Sequence, residues 1–148
     1  MDPKTELAAL EAQLLEAEAA NKAARAEEAL RDRIAEAKAK LQAERNAARD
    51  LPELAKLEGT RGVDFDVVVC RLGHVAVKKP APVQWKRFQE SKQPARDAAE
   101  TLVRACLAYP DAGAFTAILD DQPAALEAFA LTCARLAGQD VERLTGKS

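Results

Sequence analysis

The sequence predicts a mainly α-helical α+β protein, in which a long N-terminal coiled-coil helix precedes a small domain of one β-hairpin and roughly three to five helices. From Lys4 to Arg49 the chain contains no proline, glycine or aromatic residue and consists mostly of Ala, Glu, Leu, Lys and Arg. That composition is typical of a long helix, which would extend roughly 70 Å. Every glycine, aromatic residue and cysteine lies after Pro52. A second, compact part is therefore expected there.

Composition argues against several classes of protein. The 22 basic and 24 acidic residues nearly balance, so the whole chain does not resemble a nucleic-acid-binding protein. No apolar stretch is long enough for a membrane span, and the acidic, alanine-rich start does not resemble a signal peptide. The three cysteines lack CxxC spacing, which argues against a disulfide framework and a zinc site. We expect Cys70, Cys106 and Cys133 to be buried thiols of a cytoplasmic protein.

Apolar residues recur three and four positions apart along the predicted N-terminal helix, as in a coiled-coil seam. The first half of the seam is Leu7, Leu10, Leu14, Ala17, Asn21 and Ala24, and the second half is Leu30, Ile34, Ala37, Leu41 and Ala48. The heptad register slips by one position between the two halves. Because alanine buries little area, a homo-oligomer through residues 4–49 would be weak. The predicted partner-binding residues are Leu7, Leu10, Leu14, Asn21, Leu30, Ile34 and Leu41.

Asn21 has two interpretations. At a seam position it would fix the register of a parallel dimer, as a single buried asparagine does in coiled coils. Alternatively it lies on a solvated face of the helix. The sequence leaves both interpretations open.

The chain around Pro52 predicts the end of the arm. Proline disfavours helical angles at the preceding Leu51, and Asp50 could cap a new helix. We therefore expect three segments: an arm of residues 1–50, a short helix and hinge at 51–62, and a compact domain at 63–148. Gly59 and Gly62 supply the hinge.

The compact domain begins with a β-hairpin. Residues 63–72 are rich in valine and predict a strand, and residues 75–79 predict its partner. Gly73 and His74 fit a type II′ turn, which favours glycine first. Pro80 and Pro82 end the second strand, because proline cannot donate to a sheet ladder.

Helices follow the hairpin. In residues 83–90, Trp85 and Phe88 are three apart and predict an inward-facing pair. Asp121 is expected to cap a helix that Gly138 ends. The remaining predicted helices are 94–107, 114–119 and a last turn at 140–144.

The sequence offers little catalytic chemistry. His74 is the only histidine and is expected to be a solvated turn residue, without the orienting partner that a general base needs. Asp120 and Asp121 are explained by helix capping rather than by a paired-carboxylate site. The chain has no phosphate-binding glycine motif and no metal-ligand spacing. We expect a protein that is not an enzyme and uses no cofactor.

One stretch is basic: Arg71, Lys78, Lys79, Lys86, Arg87, Lys92 and Arg96. It contains Trp85 and Phe88, and cations between aromatic rings can hold single-stranded nucleic acid. The alternative is that both rings belong to the core and the cations are solvated. Apart from Trp85 and Phe88, this helix has only Val83 to bury in the core. This favours the core interpretation over nucleic-acid binding.

The order of motifs in the compact domain resembles a known family. Residues 75–80 form a hairpin strand that runs into Pro80, followed by the helix with Trp85 and Phe88. A helix ending at Tyr109-Pro110-Asp111 and another ending at Gly138 come next. Over about residues 63–138 this order is similar to small tail assembly chaperones of long-tailed bacteriophages and related contractile-injection particles. The alanine-rich arm is not part of that pattern.

The resemblance implies a function for the protein. Such chaperones bind the tape-measure protein, an elongated helical protein, while tail-tube subunits assemble around it in the host cytoplasm. The expected partner is therefore a tape-measure or other tail protein. The alternative is a structural subunit or coiled-coil adaptor of a phage-like particle, and the third hypothesis is a nucleic-acid-binding accessory protein.

Overall fold

A computed structural model of the protein describes residues 2–138. Its elements are α1 (Pro3–Glu58), β1 (Phe65–Cys70), β2 (Gly73–Lys78), α2 (Pro82–Gln89), α3 (Ala95–Cys106), β3 (Leu107–Tyr109), α4 (Ala112–Asp121) and α5 (Ala125–Leu136). Of the described residues, 72% are helical, and the predicted fold class is confirmed. The coiled-coil pairing of α1 stays a prediction. The chain divides into two units, residues 1–41 and residues 42–148, which we call the arm and the compact unit.

Helix α1 continues through Pro52 to Glu58, so the predicted helix end at Asp50 is wrong. A proline inside a helix lacks the N–H that would bond to Ala48 and costs about 3 kcal/mol. Tertiary contacts offset this cost, because the buried face of α1 carries Asn46 and Asp50, which are hydrogen-bonded to the hairpin, and the apolar Leu54. Asp50 is therefore a buried residue of α1 and not an N-cap. The compact unit begins at Gln42, before the boundary expected at residue 50.

The predicted hairpin belongs to a three-stranded antiparallel sheet with the order β1-β2-β3. Phe65 pairs with Lys78, and Cys70 pairs with Gly73. The turn is therefore Arg71-Leu72 and not the predicted Gly73-His74. Strand β3 was not predicted, because it has only three residues directly after α3.

The central strand β2 and three helices form the core of the compact unit. Val75, Ala76 and Val77 have no exposed surface. The rings of Phe115 and Phe129 have centroids 5.5 Å apart. The other fully or nearly buried apolar residues of this cluster include Leu102, Val103, Cys106, Leu126 and Cys133. All three cysteines are buried and free, as expected, and contact with Cys106 together with burial raises the pKa of Cys133.

Most of the later helices lie close to their predicted positions. Helix α4 begins at Ala112, where the carboxylate of Asp111 accepts a hydrogen bond from the Ala114 N–H at 2.8 Å. Helix α5 begins at Ala125 and has no side-chain cap, so the predicted capping role of Asp121 is wrong. Gly138 follows α5 at a φ of 100°, as a glycine that ends a helix does. The turn predicted at 140–144 lies outside the described residues.

None of the helices within residues 2–138 combines the length with the apolar character that a bilayer crossing requires.

Trp85 and Phe88 lie at the edge of the core. Both are half-buried and contact the core cluster, and their ring centroids are 5.3 Å apart. They face inward as predicted, but helix α2 has no fully buried residue. Part of the surface of Trp85 thus stays in contact with solvent.

We predict that Trp85→Ala destabilises the protein by about 2 kcal/mol, below the range of 3–5 kcal/mol typical of a fully buried aromatic residue. Val83→Ala on the same helix is the control, because Val83 is 59% exposed and should contribute little. Urea denaturation measures both changes. Equal stability of the two variants would show that the ring does not contribute to the core.

Candidate functional site

Within residues 42–138, the carboxylate of Asp50 is the most highly connected polar side-chain group. It is 1% exposed. Its Oδ1 accepts hydrogen bonds from Arg49 Nε at 2.8 Å and from the hydroxyl of Tyr109. Its Oδ2 accepts the backbone N–H of His74 at 2.9 Å, and the His74 Nδ1 lies 3.2 Å away. One side chain therefore joins α1, β2 and β3.

These contacts keep Asp50 ionised. Burial alone would raise the pKa of Asp50, but hydrogen bonds from Arg49, from Tyr109 and from the His74 backbone outweigh it and hold the pKa well below the usual range. Burial and the bond to Asp50 in turn raise the pKa of Tyr109. The phenol stays protonated at neutral pH and can donate to the carboxylate.

Two side chains of α1 that precede Asp50 in sequence, Asn46 and Arg49, bind the hairpin turn. The Asn46 amide donates to the carbonyl of Arg71 at 2.8 Å, and Arg49 Nη2 donates to the carbonyl of Leu72 at 2.8 Å. The contact is close, since a Cβ at Gly73 would lie 2.5 Å from Arg49 Nη2 and 3.1 Å from the Asp50 carboxylate. Glycine at position 73 thus allows α1 to approach the turn.

The C-terminal end of α4 holds the same turn from another side. Gln122 accepts the Arg71 N–H at 2.9 Å, and Asp121 forms an ion pair with the Arg71 guanidinium. Asp121 therefore binds the turn instead of capping α5. Its partner Arg71 is one of the cations of the basic stretch, and this cation is already paired within the chain.

A cleft of about 410 Å³ lies beside Asp50. His74 is not the solvated residue that was expected, because its side chain is only 13% exposed and faces the carboxylate. An Asp–His pair can orient a general base, but such a base also needs a nucleophile or substrate within reach. The described residues that line the cleft include no Ser, Thr or Cys. Residues 2–138 also contain no group of three or more side chains suited to a metal ion.

Every buried side-chain nitrogen and oxygen of residues 2–138 has a hydrogen-bond partner within the chain. No buried polar atom near Asp50 therefore requires a ligand. The cluster of Asn46, Arg49, Asp50, His74 and Tyr109 is explained by its attachment of α1 to the sheet. We call it the Asp50 cluster.

The predicted partner-binding residues all lie on α1 within the arm. The large apolar ones are strongly exposed, from 46% at Leu41 to 59% at Leu14, and Asn21 is exposed as well. They do not share one face. Because a helix turns about 100° per residue, Leu7, Leu10, Leu14 and Asn21 lie about 170° from Leu30, Ile34 and Leu41 on a straight helix. One helical partner cannot contact both groups at once.

The second group belongs to a longer surface. Ten exposed apolar residues share a face at successive spacings of four, three and four: Ala8, Ala12, Leu15, Ala19, Ala23, Ala26, Leu30, Ile34, Ala37 and Leu41. We call this set the long apolar face, and Leu7, Leu10 and Leu14 the short apolar face. Heptad counting missed the long face, because its repeat is eleven residues, or about 3.67 per turn. Leu15, which the heptad seam leaves out, is part of the long apolar face and is 67% exposed.

The basic stretch does not form a single solvated surface. Arg71 binds Asp121, and Arg96 donates to the Pro123 carbonyl at 3.3 Å. Trp85 and Phe88 contact the core. These contacts make the stretch a poor candidate for single-strand binding.

Comparison of the chain with protein-family models, curated proteins and solved structures gives no match. The functional inference therefore rests on the residues of this chain.

We predict that Asp50→Asn lowers the free energy of unfolding by about 3 kcal/mol at pH 7, because a buried ionic network loses its charge. The native pKa of Asp50 is depressed, so its stabilisation is present above the unfolded value near pH 4 and decreases as pH falls below about 4. Urea denaturation at pH 7 and at about pH 3 should therefore show a steeper loss of stability for the unmodified protein than for Asp50→Asn. The control is Asp120→Asn, since Asp120 is exposed. Parallel pH profiles for all three proteins would contradict this role of Asp50.

Proposed function

We propose that the protein is a non-enzymatic binding protein that holds an elongated helical partner through its arm. The observation that supports it is the exposure of large apolar side chains on a helix outside the compact unit. Leu7, Leu10 and Leu14, which share the short apolar face, are each more than half exposed. Contiguous exposed apolar surface of this kind typically marks a site for protein interaction.

The spacing of these residues suits a helical partner. Leu7, Leu10 and Leu14 follow the spacing of three and four with which one helix contacts another along its length. Alanine-rich faces allow close approach but bury little area, so each segment binds weakly. Weak contacts repeated along a helix suit a protein that must release its partner.

The specific form of the proposal is a tail assembly chaperone in the host cytoplasm. The support for it is the resemblance of residues 63–138 to that family, together with the exposed helical arm. The partner would be a tape-measure protein, an elongated helical protein against which the arm could lay an apolar face. The protein would keep this partner soluble until tail-tube subunits enclose it.

We predict that removal of residues 1–41 leaves a folded compact unit that no longer binds the partner. Removal of residues 1–50 should instead destabilise the compact unit, because it also deletes Asn46 and Asp50, both buried. Circular dichroism and thermal denaturation of the two truncated proteins test this difference. Equal melting temperatures would show that the Asp50 cluster does not stabilise the compact unit.

We further predict that co-expression with a tape-measure protein encoded beside this chain raises the soluble fraction of that protein. The double variant Leu10→Ser/Leu14→Ser should lose the effect, because it removes most of the short apolar face. The control is Leu131→Ser, which changes a residue of the compact unit of similar exposure, 56% against 59% for Leu14. Equal solubility with and without the protein would refute the chaperone. Presence of the protein in purified mature particles would then support the structural subunit.

A further inference from the structure

Charges beside the long apolar face are separated along the arm. Residues 5–21 contain four acidic residues and no basic one. Residues 31–40 contain four basic residues, Arg31, Arg33, Lys38 and Lys40, against Asp32 and Glu36. From the helical repeat, Glu11, Glu16 and Glu18 border the N-terminal half of the face, and the four basic residues border its C-terminal half. Lys22 and Glu27 border the middle of the face, where an antiparallel copy would place Lys22 of one chain near Glu27 of the other.

This arrangement distinguishes between two ways of pairing the arm with a second copy. In a parallel pair, the acidic half would lie beside the acidic half and the basic half beside the basic half. In an antiparallel pair, each acidic half would lie beside a basic half. Charges that flank an apolar seam set the orientation of helical pairs, and like charges oppose association.

We infer that a second copy of this chain covers the long apolar face in the antiparallel orientation. The eleven-residue repeat supports this arrangement, because it keeps the face on one side of a nearly straight helix over the whole arm. Leu15 of one copy would lie towards the half that carries Leu30 and Ile34 in the other copy. The exposed large residues of the face would thereby be buried at both ends of the pair.

Charge complementarity favours a second copy over an unrelated partner. The arm supplies both the acidic and the basic flank, in the order that an antiparallel copy of itself requires. Asn21 lies outside the long apolar face, so it does not set the register of this pair as it would in a parallel heptad dimer. The short apolar face stays exposed on the other side of the helix, where a different partner can bind.

Sedimentation equilibrium of the full chain tests the orientation through its salt dependence. An antiparallel dimer should weaken between low salt and about 1 M salt, because screening removes attraction between the flanks. A parallel dimer should tighten, because screening removes repulsion. Tighter association at high salt, or a monomer at about 1 mM protein, would overturn the inference.

Charge reversal gives a second test. Glu11→Lys/Glu16→Lys/Glu18→Lys and Arg31→Glu/Arg33→Glu/Lys38→Glu should each raise the dissociation constant about tenfold or more. A chain with all six substitutions should regain dimerisation, since acidic and basic halves again oppose each other. The matched control is Glu6→Lys/Glu28→Lys/Asp32→Lys, which reverses three charges away from the face. Unchanged association of both triple variants, or failure of the sixfold variant to dimerise while circular dichroism shows a helical arm, would contradict the inference.

A pair of matched variants distinguishes which of the two apolar faces mediates self-association. Leu30→Ser should weaken self-association about tenfold, whereas Leu14→Ser, at similar exposure, should leave it unchanged. The inference does not depend on the proposed chaperone function, which is tested by the solubility of a partner protein. Equal effects of Leu30→Ser and Leu14→Ser on self-association would exclude the long apolar face as the contact.

Discussion

The contact between the Asp50 carboxylate and its donors determines how the compact unit is assembled. Asp50 lies on a helix, His74 on the central strand and Tyr109 on the short third strand, and these elements are far apart in sequence. Removing a carboxylate from water is costly, and only several well-placed donors offset that cost. Because the donors come from different elements, the cluster is complete only when the helix and the sheet are in their native arrangement. This requirement gives the attachment of α1 specificity that apolar contacts alone would lack.

The same contact explains why α1 tolerates Pro52. The proline interrupts the hydrogen-bond ladder of the helix, whereas Asn46, Asp50 and Leu54 on either side of it are all buried within the compact unit. Tertiary interactions therefore outweigh a local preference. The hairpin turn is held similarly, since side chains of α1 and residues at the end of α4 bind the backbone of Arg71 and Leu72.

Local sequence patterns predicted the helical arm, the valine-rich hairpin and the apolar faces of the later helices, because these depend on neighbouring residues. They failed where distant residues decide the structure. Asp50 before Leu51-Pro52 has the local pattern of a cap, and nothing nearby in sequence indicates that His74 and Tyr109 bind it. Asp121 also has the local pattern of a cap, although its partner Arg71 is fifty positions away. On the arm, a heptad pattern does not place Leu15 and Leu30 on one face. The eleven-residue repeat that connects the residues of the long apolar face is nevertheless present in the sequence.

The continuity of α1 has a consequence for how the arm becomes helical. Starting a helix in water is unfavourable, because several backbone angles must be fixed before the first hydrogen bond forms, whereas each added residue is nearly neutral or favourable. Residues 46–54 are fixed in helical geometry by the compact unit, so they provide a preformed end from which helical structure can propagate towards the N-terminus. Residues of the arm then open more easily with increasing distance from this preformed end. The alanine-rich arm can thus remain helical without any contact of its own, and its apolar faces are already organised when a partner arrives.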